Sequence, residues 1–90
     1  MNQPSSPYYQ STRNQGSYIG ERYYSGHALD RMQDRGILPS VVENTIRTGN
    51  PSIAVISDLE FKYHFYDAIN DVTVIINEQG GVITVSYGCI

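Results

Sequence analysis

Ser25-Gly-His-Ala-Leu-Asp-Arg-Met-Gln-Asp-Arg-Gly-Ile37 reads as one short amphipathic helix that carries its own start and stop signals. Ser25 suits the N-cap, where a hydroxyl accepts a bond from an early backbone N–H. Gly36 suits the left-handed residue that follows a helix end. The predicted helix therefore spans Gly26 to Arg35, with Ala28, Leu29 and Met32 as a narrow apolar stripe. The same register sets His27, Arg31 and Arg35 four residues apart on one face, with roughly 6 Å between successive Cβ atoms.

Downstream, a second helix is expected to begin near Pro39, whose missing N–H is harmless in a first turn, and to end before Gly49. Val42 and Ile46 supply its inward stripe, helped by Val41 and Thr45, and Arg47 suits the negative C-terminal end. Pro51 prevents continuation. The apolar period then changes from helical to alternating, predicting strands over Ile53–Ser57, Leu59–Asp67, Val72–Asn77 and Val82–Tyr87. Asp58, Asn70-Asp71 and Gln79-Gly80-Gly81 punctuate the turns between them. The expected fold class is α+β, with two N-terminal helices on one face of a four-stranded antiparallel sheet and the other face open.

Upstream, residues 1–22 are rich in Asn, Gln, Ser, Thr, Pro, Gly and Tyr, and Ile19 is their only aliphatic residue beyond Met1. Such a segment offers little apolar surface against its ordering entropy, so it reads as a flexible linker or arm. Residues 23–90 are left as the folded domain, near the lower size at which a core stabilises itself without staples. The single cysteine, Cys89, rules out an internal disulfide and a multi-cysteine zinc site. Neither a signal peptide nor an apolar run long enough to span a bilayer is evident, so no membrane partner is expected. The formal charge of −3 argues against broad electrostatic adhesion to nucleic acid. A local basic site remains compatible with it, because Arg31, Arg35 and Arg47 fall within the predicted helices.

An imidazole beside two permanent cations is suited to a phosphodiester. Imidazole moves a proton near neutral pH, and guanidinium forks grip phosphate oxygens. His27 is the candidate general base or acid, and Arg31 and Arg35 are candidate phosphate ligands. The plainer reading makes His27 a packed or capping residue and pairs the arginines with Asp30, Asp34 or Glu43. A second constellation lies in the strands: Lys62 and His64 on the polar side of one, with Thr84, Ser86 and Tyr87 near the end of the last. If both groups face the open side, they form a polar platform that could complete a site with an end of the first helix. A hydroxyl there can donate to a phosphoryl oxygen. No zinc-binding spacing, phosphate-cradling glycine loop or nucleophile motif is present, so neither metal nor cofactor is expected.

The run from Gly26 to Ile37, then Pro39-Ser-Val-Val-Glu-Asn-Thr-Ile46, and the strand region from Tyr66 to Val85 resemble a small domain at the C-terminal tips of bacterial polymorphic toxins. These include Rhs-type and contact-dependent inhibition proteins. The resemblance covers about residues 23–87, and its distinctive core is His-Ala-x-x-Arg-Met-x-x-Arg-Gly. It implies a barnase–EndoU–colicin–RelE-like (BECR) fold and a metal-independent endoribonuclease, often acting on tRNA. It also implies delivery as the tip of a secreted or surface-borne carrier into a target cell's cytoplasm, and a cognate immunity protein. By position, the family's histidine and arginines fall on His27, Arg31 and Arg35, and its last-strand hydroxyl on Thr84, with Ser86 and Tyr87 as alternatives. The arm becomes the remnant of the carrier junction. An acidic nuclease is workable if it borrows a host RNA-binding protein to reach its substrate. Competing expectations are a non-catalytic protein-binding module, a toxin–antitoxin partner, or a metal-dependent deoxyribonuclease.

Overall fold

The computed structural model describes residues 13–57 and 60–88. Two short strands come first, β1 (Ser17–Ile19) and β2 (Arg22–Tyr24), followed by α1 (Gly26–Arg35) and α2 (Pro39–Thr48). Four strands complete the chain: β3 (Asn50–Ser57), β4 (Glu60–Asp67), β5 (Val72–Ile76) and β6 (Val82–Tyr87). Residues 1–12 of the expected arm, Leu59 of the expected second strand, and Cys89 lie outside the described residues.

The α+β class and the antiparallel meander β3–β4–β5–β6 agree with the sequence reading. The sheet itself is larger than expected: six strands in the order β1-β2-β6-β5-β4-β3, mixed because β2 runs parallel to β6. Residues 17–22, expected to lie in a flexible arm, instead build β1, its turn and the start of β2. Tyrosine does what aliphatic residues were expected to do. Tyr18 pairs with Tyr23 across the hairpin, their rings 5.3 Å apart and edge to face. Tyr24 is fully buried. Its hydroxyl donates to Glu43 Oε2 at 3.2 Å, and Arg22 Nε donates to the same oxygen at 2.5 Å, which ties β2 to α2.

Register decides which side chains share a face, because directly opposite residues point the same way. Phe65, Val74 and Val85 form one row, flanked by Asp67–Val72–Tyr87 and Tyr63–Ile76–Val82. Val72, Val74, Ile76, Val82 and Val85 are buried with Ala28, Met32, Ile37 and Val42, so this face carries both helices. The opposite face presents Lys62, His64 and Tyr66 on β4, Thr73 and Ile75 on β5, and Thr84 and Ser86 on β6. β6 keeps Val82 and Val85 on one face, despite their odd spacing, through a bulge: Ile75 pairs with Thr84 but Ile76 pairs with Val82.

The helix ends follow local chemistry. Ser25 Oγ accepts from Ala28 N, and Gly36 adopts φ 68°, with its N–H bonded to Met32 O. α2 starts at Pro39 without a side-chain cap. Its buried Thr45 is satisfied by Val41 O at 2.8 Å, which lets a hydroxyl sit at a core position.

Residues 13–16 run against the start of α1 so closely that a Cβ at position 26 would collide with the carbonyl oxygen of Asn14. Gly26→Ala is therefore expected to lower stability by roughly 1–3 kcal/mol, the usual cost of overpacking. Urea unfolding checks it, and an unshifted midpoint would mean that this segment is not seated on the helix.

Candidate active site

The helix dictates which groups meet. His27 lies in the first turn of α1 and is exposed, while Arg31, one turn later, is half-buried. Arg31 Nε donates to His27 Nε2 at 3.4 Å, a long and weak contact. Arg35 follows in the last turn, also exposed. Its carbonyl accepts from the Tyr87 hydroxyl at 2.9 Å, so Tyr87 reaches α1 from the end of β6.

The acids that interrupt this row are engaged elsewhere. Arg13 donates from its backbone N–H to Asp30 Oδ2 at 2.8 Å and from Nη2 to Asp34 Oδ1 at 2.7 Å. Asn14 donates to Asp30 Oδ1 through both its backbone N–H, at 3.0 Å, and its side chain, at 2.7 Å. Glu43, the third acid expected to occupy the helix arginines, belongs to Arg22. Among the described residues no acid forms an ion pair with Arg31 or Arg35. Two cations and an imidazole thus line one flank of α1 with no carboxylate bound to them among the described residues.

Burial is the largest influence on the Asp30 carboxyl and pushes it up. The bonds from the Arg13 backbone and from Asn14, with the Arg13 charge, outweigh that and hold it below its ordinary 3.8. Tyr24 is displaced the other way: burial first, then the Glu43 charge, pushes its phenol up to about 12, so it stays a donor.

The strand residues do not join this row. His64, Ile75 and Thr84 share one cross-strand row, and Thr84 and Ser86 alternate along β6 on the face away from the helices. Lys62 precedes His64 on the same side of β4. A polar platform of Lys62, His64, Thr84 and Ser86 therefore exists, but the sheet lies between it and α1. Thr84 does not complete a site with His27. Of the expected strand residues Tyr87 alone lies on the helix side, and it sits at the Arg35 end. Arg13 and Asn14 were missed by sequence reasoning, since nothing local links them to residues 16 or more positions away.

A depression of about 750 Å³ bordered by Tyr18, Arg22, Tyr23, Glu43, Asn77 and Gly80 contains none of the predicted site residues. Among the described residues no cluster of three or more His, Cys, Asp or Glu is placed to hold a metal ion. No helix there is long and apolar enough to cross a membrane. No known protein family, curated protein or solved structure matches the chain.

Because Asp30 titrates below its unfolded value of 3.8, its bonds to residues 13 and 14 stabilise the fold fully above that pH. They are lost as pH falls through the lower folded value. The amide signals of Arg13 and Asn14 are expected to shift with that acidic midpoint in an NMR titration. A midpoint at or above 3.8 would contradict the network.

Proposed function

We propose that this domain is a metal-independent endoribonuclease toxin whose reacting group is His27 and whose phosphate ligands are Arg31 and Arg35. The observation that carries this reading is the 3.4 Å Arg31–His27 contact on a flank where neither arginine has an acidic partner among the described residues. An anion meets two guanidinium groups there without displacing a carboxylate.

The contact also suggests an order of events. Arg31 occupies the His27 Nε2 lone pair only weakly. When a scissile phosphate draws the guanidinium away, Nε2 becomes available as a base toward the adjacent ribose 2′-hydroxyl. The 2′-oxygen then bonds to phosphorus, the P–O5′ bond breaks, and the departing oxygen takes a proton from the imidazolium or from water. The products are a 2′,3′-cyclic phosphate and a 5′-hydroxyl. Arg31 offsets the charge that grows on the phosphoryl oxygens, and Arg35, one turn further, holds a neighbouring stretch of backbone. Thr84, Ser86, Lys62 and His64 have no part in this step, since they occupy the other face.

The resemblance to polymorphic toxin tips supplies the setting: a delivered domain acting on RNA, tRNA included, in a target cell's cytoplasm, and held in check by an immunity protein. The net charge of −3 fits a nuclease that reaches RNA with the help of a host RNA-binding protein.

A second reading, a non-catalytic protein-binding module, is favoured by one feature. Leu38 is 62 % exposed beside Ile19, Leu29, Met32 and Ile37, an apolar groove suited to a protein partner. Induced expression in bacteria separates the two readings. Wild type is expected to yield RNA fragments ending in 2′,3′-cyclic phosphate, undiminished by EDTA, and His27→Ala to lower the cleavage rate about 10²- to 10⁴-fold. Cleavage that survives the substitution, or toxicity with intact RNA, would remove the catalytic reading.

A further inference from the structure

Arg13 stands apart from the proposed chemistry, yet it sets the electrostatic state of the helix flank. On a bare helix Asp34 lies three residues beyond Arg31, the spacing at which an acid and a base pair readily. Position 34 also falls seven residues after His27, close to two turns, so its carboxylate would sit on the flank that the imidazole shares with Arg31. In the folded chain that carboxylate is turned instead toward Arg13 Nη2, at 2.7 Å. The same nitrogen also bonds Asp30 O at 3.2 Å, and Arg13 Nε lies 3.6 Å from Asp30 Oδ1. The guanidinium thus bridges the two interleaved acids. Its backbone N–H and that of Asn14 secure Asp30 independently, so the guanidinium's separate task is Asp34.

We infer that Arg13 is a positioning residue that holds Asp34 away from Arg31 and so keeps the His27–Arg31–Arg35 flank open to phosphate. The inference rests on the reading of that flank as a phosphate-binding surface. Arg13 and Asp34 are 58 % and 49 % exposed at their side chains, so the pair is weak as a contributor to stability. Its importance lies in where it directs one negative charge.

The test uses the full chain and inorganic phosphate at low ionic strength, following the Arg31 Nε–Hε signal by NMR. Arg13→Ala is expected to weaken phosphate binding about twofold, the size that one helix-spaced ion pair supports. Arg13→Ala combined with Asp34→Asn is expected to restore wild-type affinity, because the competing carboxylate is gone. Arg13→Ala combined with Glu21→Gln restores the net charge without touching the flank, and is expected to remain weakened. Asp34→Asn alone is expected to bind at least as tightly as wild type, and serves if Arg13→Ala folds poorly. Undiminished binding in Arg13→Ala, rescue by Glu21→Gln, failure of Asp34→Asn to rescue, or weaker binding in Asp34→Asn alone would each overturn the inference. A wild type that binds no phosphate at Arg31 overturns both the inference and the reading beneath it. A wild type that binds phosphate but leaves RNA intact removes only the nuclease.

Discussion

Ser25 joins three elements that sequence places far apart. Its backbone N–H donates to Val82 O at 2.9 Å, and its hydroxyl donates to Ile83 O at 2.8 Å. The same hydroxyl accepts from Ala28 N at 3.0 Å, while its carbonyl accepts from Leu29 N at 3.0 Å. One residue therefore ends β2, starts α1 and secures both to the central strand β6. The heading of α1, and with it the flank that carries His27 and Arg31, follows from this junction. A small hydroxyl residue is needed because it must donate and accept at once in a half-buried place.

Both helices were legible because their boundaries are local. Ser25, Gly36, Pro39 and Gly49 act within a turn of themselves, and the buried positions Ala28 and Met32 in α1, and Val42 and Thr45 in α2, stand at helical spacing. The meander was legible for a similar reason, since alternation and turn residues need no distant partner. The hairpin of β1 and β2 was hidden. Its strands are three residues each, its apolar content is tyrosine apart from Ile19, and the contacts that anchor β2 come from Val82, Glu43 and Gly80. Pairings over such separations leave no periodic trace.

The candidate site was legible only in its helical half. That His27, Arg31 and Arg35 share a face follows from 3.6 residues per turn. Which acids they meet does not, because Asp30 and Asp34 are claimed by an arginine from a segment that composition marks as loose. Relating the strand hydroxyls to the helix also required knowing the face on which α1 lies. Tyr87 bonding Arg35 O establishes that side, and the β6 bulge keeps Val82 and Val85 together on it while Thr84 and Ser86 turn to the other.

The parallel pairing of β2 with β6 also bears on assembly. Between Tyr24 and its partner Val82 the chain must lay down two helices and three strands. Such a closure pays its loop entropy before receiving any contact in return, so it belongs to the late part of folding. On a ribosome, the groups around Ser25 wait for a strand that emerges almost sixty residues afterwards. In a nascent chain, therefore, the helix that bears the imidazole gains its final bearing only when β6 enters the centre of the sheet.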